Sequence, residues 1–149
     1  MNRREFLGAA ALALPAFALS EASAATTDEA APAAAGSGKL DAAVAAAEHC
    51  LQTGRECERH CWEMVGKGRV EMKDCGDSTR NMLAACEALV KVGVYRSASD
   101  ENLKRLAAAC AGFCRACEEQ CRKHAAQHKI CADCMQSCID CAKACEALA

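Results

Sequence analysis

Fourteen of the 149 residues are cysteine, and nine of them fall between Cys110 and Cys145. Cys110, Cys114, Cys117 and Cys121 are separated by steps of four, three and four residues. Cys131, Cys134, Cys138, Cys141 and Cys145 are separated by steps of three, four, three and four. At about 100° per residue the first set spans an arc of about 60° and the second about 80°, so each is a stripe of thiols along one face of a helix. This is the spacing a leucine core uses. Soft sulfur donors turned into a helical interior point to the binding of several ions of a soft metal.

The first half of the chain repeats the pattern more sparsely. Cys50, Cys57 and Cys61 lie within about 40° on a helix, and Met64 continues that face. Gly54 occupies the missing turn between Cys50 and Cys57, which weakens the helix but leaves room beside it. Farther on, Met82, Cys86 and Leu89 line one face, with Cys75 in the preceding loop or first turn. Met64 and Met82 can offer thioether sulfur near a mouth of the bundle, or fill gaps as ordinary core methionines. His49 and His60 each directly precede a cysteine, so they sit off the centre of the stripe, as secondary metal ligands or as solvated side chains.

Helices must position these thiols. No segment alternates with period two, and proline is absent after Pro32. The reading is all-α. Helix 1 is expected from about Asp41 to Val65, ended by Gly66-Lys67-Gly68, and helix 2 from Ser78, as N-cap, to about Gly93. Ser99, followed by Asp100 and Glu101, opens a third helix that continues to about Gln127. The fourth begins after a break between His124 and Lys129, placed there by the change of phase in the cysteine spacing. Short connections favour an antiparallel four-helix bundle with a cysteine-lined core.

The N-terminus reads as a targeting segment. Asn2-Arg3-Arg4-Glu5-Phe6-Leu7-Gly8 fits the twin-arginine pattern, an apolar stretch follows to Leu19, and Ala22-Ser23-Ala24 fits a cleavage site. The apolar run is shorter than the roughly 20 residues a membrane span needs. Residues 1–24 are therefore expected to be a signal peptide for export, with a periplasmic destination and no membrane span in the mature chain. Residues 25–38 lack periodicity and read as a flexible linker, leaving 39–149 as the bundle. The net charge of -2 and the scarcity of aromatic residues (3%) exclude nucleic acid as a partner.

Zinc closes single sites with four ligands, and four thiolates around one Zn²⁺ leave a charge of about -2 per site, costly to stack in a dry interior. Cu(I) is soft and univalent, so about one ion per cysteine neutralises a thiolate core. Iron–sulfur clusters favour cysteine runs on loops, and the haem signature Cys-x-x-Cys-His does not occur. Export and the even cysteine count leave a disulfide-stabilised helical interaction module as an alternative. A thiol redox protein is a second one, although it would want a single low-pKa pair at a helix start. Beyond Arg105 the only large apolar residues are Leu106, Phe113, Ile130, Met135, Ile139 and Leu148, too few for a conventional core.

Glu48-His49-Cys50, then Glu56-Cys57-Glu58-Arg59-His60-Cys61-Trp62-Glu63-Met64, then the two stripes, resemble the bacterial Csp copper-storage proteins from about Leu40 to the C-terminus. The resemblance implies a non-enzymatic bundle whose fourteen cysteines bind many Cu(I) ions. It implies too that the exported form holds copper for enzymes such as particulate methane monooxygenase, and that the chain forms a homo-oligomer, as some members form tetramers. Some members carry a methionine- and histidine-rich entrance before the first helix; Ala42 to Ala47 here contain neither residue.

Overall fold

The computed structural model describes residues 34–96 and 98–149. The expected signal peptide and most of the expected linker lie outside the described residues. Four helices follow one another: α1 (Ala34–Gly66), α2 (Lys73–Tyr95), α3 (Asp100–Arg122) and α4 (Lys129–Leu148), with one 3-10 turn, Val70–Met72, between α1 and α2. No strand occurs among the described residues.

Three boundaries differ from the expected ones. Helix α1 begins at Ala34 rather than Asp41, so residues 34–38, expected as linker, are helical. Alanine favours the helix, and Leu40 and Ala43 on the following turns are buried, so packing carries the helix over the glycines. Helix α2 begins at Lys73, not Ser78, because the 3-10 turn leads straight into it. Met72 anchors this junction, fully buried, and Lys73 pairs with Asp77 one turn on at 2.5 Å. Helix α3 ends at Arg122, five residues before Gln127. Past Cys121 there is no buried side chain until Cys131, so nothing holds a further turn; residues 123–128 instead close tight backbone turns on Cys121 and His124. The Ser99 cap is as expected: the Asn102 backbone N–H donates to Ser99 Oγ at 3.4 Å.

The helices run antiparallel around a square. α1 packs on α2 and α4, and α3 packs on the same two. Ion pairs set the register of α1 against α2: Arg80 to Glu58 at 2.8 Å, Arg55 to Glu87 at 3.2 Å and Arg96 to Asp41 at 2.5 Å. Arg115 to Glu146, at 3.0 Å, does the same for α3 against α4. The core is uneven. On α1 and α2, Leu40, Leu51, Leu83, Leu89 and Met82 are buried; on α3 and α4 no buried side chain is larger than cysteine.

Close approach of α1 to α2 depends on glycine. A Cβ on Gly93 would come within 2.5 Å of Val44 Cγ2. Gly93→Ala is expected to cost up to about 2 kcal/mol, an overpacking penalty of about 1–3 kcal/mol offset by about 1 kcal/mol of helix propensity. Adding Val44→Ala should restore most of that loss. Urea unfolding of the two variants checks this, and a double variant no more stable than Gly93→Ala alone contradicts the contact.

Candidate metal centre

Each stripe is the fully buried face of its helix, and the four stripes meet on the bundle axis. All fourteen cysteines are fully buried, and all are free thiols. They form five overlapping groups in which the sulfur atoms lie within 4.8 Å of one another. From the end where α1 stops and α4 starts these are Cys57, Cys61, Cys75 and Cys131, then Cys57, Cys121 and Cys134. Next come Cys117, Cys134 and Cys138; then Cys50, Cys86, Cys114 and Cys141; and last Cys110, Cys141 and Cys145. Shared members join the first three groups to one another and the last two to one another, and the contact of Cys50 with Cys138, at 3.6 Å, links the two sets into one continuous column of sulfur.

The spacing suits shared ions. Neighbouring Sγ atoms are 3.5 Å apart at Cys75 and Cys121 and 3.6 Å apart at Cys50 and Cys138 and at Cys86 and Cys110. They are 4.0 Å apart at Cys57 and Cys131 and at Cys117 and Cys134. With a metal–sulfur bond of about 2.3 Å, as for zinc thiolates, two sulfurs on one ion are about 4.0 Å apart in a trigonal site and about 4.6 Å in a linear one. These thiol pairs therefore stand within about 0.5 Å of three-coordinate geometry before any ion arrives.

The remaining expected ligands divide. Met82 is fully buried, at mid-length rather than near a mouth, with Sδ 3.3 Å from Cys50 Sγ and 3.6 Å from Cys86 Sγ. Met64 is half-buried against the core. His60 is half-buried at the α1–α4 end, its Nε2 3.1 Å from Nδ1 of His128, a partner that sequence reasoning missed because it lies 68 residues away. His49 is exposed and faces a surface groove with Gln52, Thr53 and Asp133, so its place one residue before Cys50 turns it away from the sulfur column. Thr79 and Ser137 also escaped sequence reasoning. Thr79, buried, lies 3.5 Å from Cys117 Sγ while donating to the Cys75 carbonyl at 2.8 Å; Ser137 lies 3.8 Å from Cys50 Sγ. Their helical positions, on the thiol face of α2 and beside that of α4, are the signal that could have found them.

Hydrogen bonding divides the thiols electrostatically. The hydrogen bond between Cys75 and Cys121 holds Cys75 down at about 4, and bonds to neighbouring thiols likewise lower Cys50, Cys57, Cys110 and Cys117. Other thiols shift the opposite way. Cys121 is raised by its bond to Cys117, Cys141 by its bond to Cys110, and Cys145 is pushed up to about 12 by its bond to Cys110; burial adds to each. Cys61, Cys86, Cys131, Cys134 and Cys138 are raised in the same way. Thiols that keep their protons leave the column close to neutral, as a dry interior requires. His128 is lowered by burial and then by the nearby His60, which favours the neutral ring, the form able to ligate a metal.

No curated protein matches the sequence. The family of copper storage proteins, Csp, matches residues 37–149, the whole bundle from the second turn of α1 onward. With fourteen buried thiols gathered in one column and that match covering most of its length, the chain belongs to the copper storage protein family.

Proposed function

We propose that the protein is a non-enzymatic store for Cu(I), in which all fourteen cysteines act as bridging thiolates and hold about one ion per cysteine. The observation that carries this reading is the continuous column of free, fully buried sulfur. Univalent ions fit because each added thiolate charge is cancelled as it forms. Ions enter at the end where His60, His128 and Met64 stand beside Cys61 and Cys131. The opposite end is closed by Leu40, Leu89, Leu106 and Leu148, which belong to the apolar core and its margin. The reading includes residues 1–24 as an export signal and a periplasmic store for copper enzymes. Among the described residues no helix is long and apolar enough to cross a membrane.

Anaerobic titration of the reduced protein with Cu(I), with a thiol count on the same sample, is expected to saturate near one ion per cysteine. Saturation at one or two ions would make it a chaperone or sensor instead. A purified native protein with few free thiols would favour the disulfide module.

Loading should stabilise the fold unevenly. Free Cu(I) at about a hundredfold above its Kd adds about 2.7 kcal/mol for each independent site. One such site raises Tm by roughly 10 °C in a domain of this size. Hydrogen exchange should slow more in α3 and α4, where no buried side chain exceeds cysteine, than in α1 and α2. Identical melting curves for the empty and loaded protein contradict the reading.

The raised thiols are protonated at neutral pH, so an ion that binds them must expel protons. Apparent affinity is expected to fall as pH falls, by about tenfold per pH unit for each proton released per ion. Chelator competition at several pH values measures this slope. A flat profile through neutral pH would mean that the thiols are already ionised.

A further inference from the structure

We propose that the Met82 thioether is a copper ligand in the middle of the bundle, completing a mixed site with the thiolates of Cys50 and Cys86. The inference rests on the storage reading and adds to it a donor of another chemical kind. Helix α2 carries only two cysteines, Cys75 and Cys86, and Met82 stands on the same buried face between them. Its side chain is fully buried, yet its sulfur is not turned toward carbon. The Cys50 and Cys86 thiols both donate to Sδ, at 3.3 and 3.6 Å, so the lone pairs that would bind a metal face the sulfur column. Cys50 and Cys86 belong to one group of sulfurs within 4.8 Å of one another. All three donors thus surround a common point at distances that one ion can span.

Gly54 on α1 makes this arrangement possible. A Cβ there would lie 2.7 Å from Met82 Cε and 2.9 Å from Leu83 Cδ2. Without it the methyl group rests against the α1 backbone and the sulfur points inward. The residue that breaks the cysteine rhythm of α1 is the one that seats the thioether of α2.

Charge gives the thioether its purpose. Two thiolates on one Cu(I) leave a net charge of -1, and a third thiolate would make it -2 in a medium that stabilises charge poorly. A thioether supplies the third soft donor at no charge. On binding, the ion stays Cu(I), Cys50 and Cys86 release their two protons to solvent, and Met82 releases none. Leucine would fill the same space and donate nothing.

Selenomethionine-labelled protein, loaded anaerobically with Cu(I), tests this by absorption spectroscopy at the selenium edge. The expected result is selenium–copper scattering that persists in Met64→Leu and is lost from Met82→Leu. Gly54→Ala, which keeps the methionine but displaces its methyl group, should weaken the same signal and guards against a Met82→Leu variant that fails to fold. Absence of selenium–copper scattering in the loaded protein overturns the proposal, as does a signal that vanishes with Met64. Copper counted on the same samples separates the two readings. A full complement of copper without a Met82-dependent signal leaves the store intact and removes only this ligand. Failure to take up more than one or two ions removes both.

Discussion

A dry column of sulfur must stay electrically neutral, and this requirement governs the rest of the bundle. Empty, it is met by protons, with thiols donating to one another along the column. In the proposed Cu(I) store the same requirement is met by a univalent soft cation, because thiolates and ions can then be added in equal number. Neutrality also explains the hydroxyls and the thioether among the thiols. Thr79, Ser137 and Met82 are polar or soft enough to touch sulfur but bring no charge of their own.

A thiol core carries a mechanical cost. Cysteine buries far less apolar surface than leucine, and each missing methylene forfeits about 0.8 kcal/mol. In this chain the loss is concentrated in α3 and α4, whose inward faces are cysteine, alanine and one serine. The conventional part of the core lies between α1 and α2, where Leu40, Leu51, Leu83 and Leu89 are buried. Exposed ion pairs such as Arg55–Glu87 and Arg115–Glu146 fix register but contribute little cohesion. One helical pair therefore acts as the scaffold, and the other depends more on what fills the column.

Much of this was legible in the sequence. The three-and-four spacing placed every cysteine but Cys75, left to a loop or first turn, on an inward face, and all fourteen are buried. Ser99 marked a helix start because its hydroxyl can accept from a free backbone N–H, a strictly local bond. What escaped was set by tertiary contact. Helix α2 starts at Lys73 because Met72 is buried by its neighbours, not because a capping residue stands there. The His60–His128 contact joins residues far apart in sequence, and His49 turns outward although it adjoins Cys50 as closely as His60 adjoins Cys61. Adjacency to a ligand along a helix shifts a side chain by about 100°, which is enough to put one histidine at the rim of the column and the other on the surface.

The same helical geometry works against disulfides within a stripe. Successive thiols on one helix, such as Cys57 and Cys61 at 4.0 Å, have parallel Cα–Cβ bonds and cannot reach the roughly 90° torsion of a disulfide without unwinding. Across helices the closest pair, Cys75 and Cys121, stands at 3.5 Å, about 1.5 Å farther than a sulfur–sulfur bond. An ion about 2.3 Å from each sulfur spans the existing gap with the helices where they are. In the proposed store, metal binding therefore asks less movement of a helical stripe than disulfides between its successive thiols would.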